Sequence, residues 1–272
     1  FVSGSARRVV AMKRIATALV LIPVITYAIV WAPWWVFSTL LSVIAVLCFV
    51  EYNGIVAAHG IPKPGWAGFV AGLVVLLLPG AGLGAFTGVA IASMALALWS
   101  KDLKNELARA GAMLLGVGYV FGCWRCAIGL RGIDPRWLFI AIALNWAGDS
   151  AAMYVGKAFG RHKMAPVISP GKTWEGAAAS IVGSVIFAVA VAWFWKPEAA
   201  WWLVAGVAGL ANVAGQAGDL CESALKRGAG MKDSGTMLPG HGGWLDRVDS
   251  TLFAAPVTYG LLILARMANL PF

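Results

Sequence analysis

Charge is what this chain has least of. Only 12% of its residues are Asp, Glu, Lys or Arg, against roughly 25% in a soluble domain. Acids are the rarer sign, 12 in 272 residues. Histidine occurs three times and cysteine four times. Each shortage excludes something. So few charges cannot solvate the surface of a water-soluble protein of this length. The cysteines, at positions 48, 123, 126 and 221, do not form the dense framework of a small secreted scaffold. Cys123 and Cys126 have a spacing used in redox and metal sites. Both lie in an apolar run, where two small residues inside a helix is the simpler reading. No polar stretch is long enough to make a separate soluble domain.

What the chain does have is apolar length. It is 60% hydrophobic, with a mean hydropathy of +0.80. Runs of roughly 20 apolar residues, the length that crosses a bilayer as a helix, recur throughout. Candidate spans fall near 15–33, 34–50, 66–80, 85–99, 108–128, 136–158, 174–195, 200–218 and 250–267. The expected fold is therefore all-α, a polytopic integral membrane protein with about nine transmembrane helices. Residues 12–130 would form an N-terminal set of about five spans. Residues 131–272 would carry the rest together with the chemistry. The run from Ile15 lacks a small-residue cleavage site and reads as a span, not a removed leader. Met12-Lys13-Arg14 resembles a natural start, with residues 1–11 an upstream extension. Glycine is abundant, 33 residues. Gly68-x-x-x-Gly72 has the spacing that lets membrane helices pack closely.

The net charge is +9. The basic residues sit in short loops between apolar runs, which fits a membrane topology and anionic lipid better than nucleic acid. With the N-terminus inside, 16 of the 21 Lys and Arg fall on the inner side and five on the outer. That bias places the loops 159–173 and 219–249 on the cytoplasmic face of the membrane. Residues 51–65 read as a short inner stretch, with His59 at the interface. Arg125 lies within a span, near enough to its outer end to reach water.

Charge concentrates between Asp219 and Asp249. Five of the 12 acids are there: Asp219, Glu222, Asp233, Asp246 and Asp249. Lys226, Arg227, Lys232, Arg247 and His241 lie among them. Carboxylates hold hard divalent cations. Lys and Arg hold phosphates. If the helix ending at Gly228 starts before Asp219, then Asp219, Glu222, Ser223 and Lys226 share one face. Asp246 and Asp249 share a face at the start of the last span. Two acidic helix ends at one membrane surface repel unless a cation lies between them, so Mg2+ is expected to bridge Asp219 and Asp246. Asp149 and Asp249 are further metal candidates. Asn145 and Asp149 lie at i and i+4 within a span, where a carboxylate is costly unless paired. The run Ser169-Pro170-Gly171-Lys172-Thr173-Trp174-Glu175-Gly176 reads as a turn feeding a helix N-terminus, which favours an anion. Glu175 would cap its first turn. His162 reads as a surface residue.

Residues 223–249 resemble a motif of the phosphatidate cytidylyltransferase family. The match comprises Ser223, Leu225, Lys226, Arg227, Lys232, Asp233, Gly235, Leu238, Pro239, His241, Gly242, Gly243, Asp246, Arg247, Val248 and Asp249. Trp244 departs from the smaller residue usual there. The run 169–176 resembles a second element of that family, and Asp149, Gly156 and Gly160 resemble a third. The resemblance implies CTP and phosphatidic acid as substrates, CDP-diacylglycerol and pyrophosphate as products, and Mg2+ as cofactor. It implies catalytic roles for Asp219, Asp246, Lys226, Lys172 and His241. Substrate contacts would come from Asn145, Ser169, Lys172, Thr173, Ser223, Lys226, Arg227, Lys232, Asp233 and Arg247. A homodimer is consistent with the family. Two other readings stay open: a CTP-dependent enzyme acting on another membrane lipid, and a transporter coupling cations through Asp149 and Asp219. The one-sided clustering of charge, with no visible internal repeat, disfavours transport.

Overall fold

Where the backbone can satisfy its own hydrogen bonds inside a bilayer, it is helical, and helices account for most of this computed structural model. The structure describes residues 22–80, 82–100, 103–196, 198–238, 240 and 242–272. Most of the first expected span lies outside them, and so does His241. Residues 22–30 form helix α1 and turn at Trp31-Ala32 into α2, Trp34–Ala58. This second helix runs past its expected end and takes Glu51 and Tyr52 with it. Nothing in 51–58 breaks a helix. The stop comes at Gly60, whose φ of 75° leaves the helical region.

Two short helices follow, α3 (Gly65–Leu77) and α4 (Leu83–Ala95), of 13 residues each. At 1.5 Å per residue each covers about 20 Å, short of a hydrocarbon core of roughly 30 Å. Next, one run from Leu103 to Ile133 comprises α5 (Glu106–Gly116), a π-helical turn (Val117–Gly122) and α6 (Cys123–Ile133). Then come α7 (Pro135–Phe159), strands β1 (Lys163–Ala165) and β2 (Ser169–Thr173), α8 (Trp174–Trp195), α9 (Trp201–Gly228) and α10 (Leu245–Met267). Five helical segments are long and apolar enough to cross a membrane: α2, the 103–133 run, α7, α8 and α10. At 28 residues α9 is longer than α2, α7, α8 and α10. Its polar residues, from Asn212 to Lys226, keep it off that list.

The chain between α7 and α8 corrects one expectation. It is an antiparallel hairpin pairing Lys163 with Thr173 and Ala165 with Ser169, not a plain turn. Thr173, not Glu175, caps α8, its Oγ1 accepting the Gly176 amide at 3.2 Å. Glu175 accepts instead from His162, through the amide and through Nδ1 at 2.6 Å.

Packing pairs α7 with α8 and α9 with α10, and one apolar cluster runs from Ile29 through Phe49, Phe121 and Leu144 to Leu262. The glycines of α3 admit rings as well as helices. A Cβ on Gly68 would enter the Phe49 ring, and one on Gly72 the Phe121 ring. The two cysteines of α6 are free.

One end of the bundle is closed by charge. Asp134 caps α7 by accepting the Arg136 amide at 2.9 Å. Its carboxylate also holds the Arg136 guanidinium at 2.8 Å and Lys196 Nζ at 2.6 Å. Arg136 reaches on to Glu198 at 2.7 Å and to the Trp195 carbonyl at 2.7 Å. Arg131 donates to the carbonyls of Ile29 and Ala32 and stacks on Phe37. The turns at 31–33, 133–135 and 195–200 are thereby tied together. Trp31, Trp35, Trp193 and Trp201 are exposed near these turns, as suits aromatic side chains at a membrane interface.

Burial alone would raise the Asp134 carboxyl, but hydrogen bonds from Arg136 and Lys196 outweigh it and hold the group below its ordinary range. Its folded value is thus lower than its unfolded one. The clamp stabilises fully above about pH 4 and is lost as the pH falls through the folded value. Lys196→Met should cost on the order of 1–3 kcal/mol. Thermal unfolding in detergent should show this as a lower midpoint at neutral pH. Asp134→Asn should lower the midpoint too, and should flatten its decline below about pH 4.

Candidate active site

The opposite end of the bundle gathers the acids. Helix α9 continues through Asp219, Glu222, Ser223 and Lys226, as helix-forming residues with i,i+4 charge pairs allow. It stops where Gly230 takes a φ of 69°. Ser223 Oγ donates to Asp219 at 3.3 Å. Lys226 Nζ lies 2.9 Å from Glu222 and 2.5 Å from Asp246 of α10. All three side chains are nearly dry, with exposures of 9%, 0% and 8%. Lys226 thus lies between an acid of α9, Glu222, and an acid of α10, Asp246. Lys226, expected among the phosphate ligands, is committed to two carboxylates.

Asp219 faces a different partner. Its Oδ2 lies 2.8 Å from Lys172 Nζ on strand β2. The hairpin therefore delivers the lysine of the 169–176 run onto the first acid of the charged stretch 219–249. Asp149 interacts electrostatically with both Asp219 and Lys172, and Asp249 with Asp219, Glu222 and Lys226. Asp149, Lys172, Thr173, Gln216 and Asp219 line one cavity of about 260 Å³ between α7, α8 and α9. Its deeper wall is a run of buried amides and hydroxyls. Gln216 donates to Asn212 Oδ1 at 2.7 Å, and Asn212 to Ser184 Oγ at 2.9 Å and Ser180 Oγ at 3.1 Å. Ser184 passes its hydrogen to the Leu144 carbonyl at 2.7 Å. Asn145 is buried at the same wall and donates to Ala141 O at 3.1 Å.

The segment between α9 and α10 folds over Asp246. That carboxylate accepts the amides of Ser234, at 2.9 Å, and Gly243, at 2.8 Å. Leu238 bridges to Gly242. Gly242 has a φ of 76°, and a Cβ there would crowd the Asp246 carboxylate. Arg227, Lys232, Asp233 and Arg247 are exposed around this fold. Arg227 also donates to the Met231 carbonyl at 3.1 Å. Ser169 starts β2 and is half-buried. His59, expected at the interface, bonds through Nε2 to the Leu225 carbonyl at 2.9 Å, near the end of α9.

Sequence reasoning missed Glu51. It is 3% exposed and accepts three hydrogen bonds from the 234–245 segment. The signal was available: an acid inside a 25-residue apolar helix with no basic residue a turn away.

Among the described residues, no three His, Cys, Asp or Glu side chains are placed to hold a metal ion by themselves. The donors still suit one. Asp219 and its acidic neighbours offer hard oxygens whose mutual repulsion a cation would relieve. Mg2+ commonly takes only one or two carboxylates, with water and substrate phosphates completing its shell.

Residues 12–265 match the model of the cytidylyltransferase family. The chain belongs to that family. Among curated cytidylyltransferases it is 41% identical over 157 residues to the phosphatidate cytidylyltransferase of Bacillus subtilis (strain 168), covering 57% of this chain and 58% of that one. It is 34% identical over 235 residues to the phosphatidate cytidylyltransferase of Staphylococcus aureus (strain COL), covering 84% and 89%. The corresponding protein of Staphylococcus haemolyticus (strain JCSC1435) is 32% identical over 234 residues, covering 84% and 88%. A cytidylyltransferase must gather several negative groups in one place, and the acids and bases at this end of the bundle are suited to that.

Removing Lys226 would leave Glu222 and Asp246 buried and uncompensated. Lys226→Met should cost about 3–5 kcal/mol, read as a large drop in the thermal midpoint. Adding Glu222→Gln should restore much of that midpoint, because it removes one of the two stranded charges.

Proposed function

We propose that this chain catalyses cytidylyl transfer from CTP to phosphatidic acid at the Asp219–Lys172 site. A phosphate oxygen of phosphatidic acid attacks the α-phosphorus of CTP. The bond from that phosphorus to the oxygen bridging to the β-phosphate breaks. CDP-diacylglycerol forms and pyrophosphate leaves with the bond's electrons. The attacking oxygen is already anionic, so no strong base is required. The difficulty is bringing two anions together and stabilising the leaving charge, which positioned cations do.

The observation that carries this reading is the 2.8 Å contact between Lys172 and Asp219. It joins the 169–176 run, which resembles phosphatidate cytidylyltransferases, to the acid-rich stretch 219–249 that contains their longest motif, and both residues line one cavity. The relatives that cover most of this chain are phosphatidate cytidylyltransferases, which supports the choice of acceptor. Lys172, paired with Asp219, and the exposed Arg227, Lys232 and Arg247 are the bases placed to meet phosphates. Lys226 instead fixes Asp246. Asp219 with Asp149, Asp249 and Asp246 supplies the carboxylates for Mg2+, which would polarise the phosphoryl oxygens and neutralise the leaving pyrophosphate. His241, expected among the catalytic residues, lies outside the described residues. The excess of Lys and Arg on this end supports its facing the cytoplasm.

Purified protein in detergent or liposomes, given CTP, Mg2+ and phosphatidic acid, should release CDP-diacylglycerol and pyrophosphate in equal amounts. Asp219→Asn should lower kcat by about 10²–10³-fold with the fold intact. Full turnover without any divalent cation would overturn the metal assignment. Turnover with a different lipid acceptor, and none with phosphatidic acid, would overturn the substrate.

A further inference from the structure

We infer that Glu51 is a positioning residue for the transfer site, acting from α2 through the start of α10. The inference rests on the reading of Asp246 as part of that site.

Helix α10 begins at Leu245 with no side-chain cap of its own. The first amides of a helix have no partner within it and need acceptors from elsewhere. Here two come from a residue almost 200 positions earlier. Glu51 Oε1 accepts the Trp244 amide at 2.9 Å, and Oε2 accepts the Leu245 amide at 2.8 Å. The same Oε2 accepts the Ser234 hydroxyl at 2.8 Å. The carboxylate therefore sits where the positive end of the α10 dipole favours an anion. Among the described residues no cation pairs with it. Three donors hold it in place, and it holds three donors.

Ser234 ties this arrangement to Asp246. Its hydroxyl goes to Glu51, and its amide goes to Asp246 at 2.9 Å. Gly243 is shared in the same way. Its amide donates to Asp246 at 2.8 Å, and a Cβ on it would run into the Glu51 carboxyl. A Cβ on Gly235 would meet Glu51 as well. Two glycines of the motif are thus required by the volume of Glu51. Asp246 has its own orientation set by groups that Glu51 has already placed. Through Glu51 the front half of the chain reaches the groups that hold Asp246.

Glutamine at this position keeps the size and loses an acceptor. Its NH2 would face either the Trp244 amide or the pair formed by Leu245 and Ser234, donor against donor. Glu51→Gln should lower kcat on the order of 10–100-fold, as loss of an outer supporting group does at metal sites, while KM for CTP changes far less. Hydrogen exchange should speed up at the amides of 234 and 243–246 and stay unchanged in α7 and α8. Ser234→Ala should weaken the same unit, so the double variant should cost less than the product of the two single effects. Gly243→Ala, which displaces the carboxyl by bulk, should reproduce the kcat loss.

A Glu51→Gln protein with wild-type kcat would overturn the inference. So would a loss of protection spread over the whole molecule, with kcat following the folded fraction. If the wild-type protein makes no CDP-diacylglycerol, the proposed reaction fails. The exchange pattern in Glu51→Gln still decides whether Glu51 places the 234–246 segment.

Discussion

The polar end of this molecule depends on one ammonium group. Lys226 stands between Glu222 on its own helix and Asp246 on the next. Without it α9 and α10 would bring two carboxylates together in surroundings with almost no water, where like charges repel far more strongly than in solvent. With it, the two helices can run side by side and Asp246 keeps one orientation. The segment from Met231 to Trp244 can then close over Asp246 with its amides, and Glu51 can close over that segment in turn. Each step uses the previous one as its support. The resulting network is dense because a membrane protein with 12 acids has placed five of them within 31 residues of chain.

The site was legible in the sequence to the extent that its residues are near one another along the chain. Asp219, Glu222, Ser223 and Lys226 were assigned to one face of a helix from their spacing, and the Ser223–Asp219 and Lys226–Glu222 contacts lie along that face. The pairing of Lys172 with Asp219 was not legible, because it depends on a hairpin whose strands of three and five residues give no periodic signal. The cap on α8 is Thr173 and not Glu175. Thr173 has the extended backbone of a cap residue, while Glu175 lies within reach of His162. Glu51 was lost for a different reason. A boundary drawn at residue 50 turned a buried carboxylate into a loop residue, and only the uninterrupted α2 restores its cost.

The spans were legible as apolar length and not as crossings. Runs at 66–80 and 85–99 looked like the others by hydropathy, yet their helices have 13 residues each. Prolines and glycines at 62–65 and 79–84 bound α3 on both sides and α4 at its start, and α4 tightens into a 3-10 turn over Leu96–Trp99. Conversely, α9 falls short on hydropathy because one of its faces is given over to polar residues, although it has ample length.

That face of α9 links the depth of the membrane to the chemistry at its end. Asn212, Gln216, Asp219, Ser223 and Lys226 follow one another at intervals of four and three residues, the spacing of a single helical stripe. Along it the groups change in order: a buried amide, a half-buried amide, a carboxylate, a hydroxyl and an ammonium. Neutral polar groups are the ones that can be satisfied deep in a bundle, here by the hydroxyls of Ser180 and Ser184. Charged groups are affordable only near the end, where Lys172 and the 231–244 segment supply counter-charge and amides. For the proposed transfer this gradient matches the reactants. The acyl chains of one reactant belong at the apolar end of the stripe. The triphosphate of the other belongs at its charged end, and the phosphate–phosphate linkage formed between them would fall where Asp219 meets Lys172.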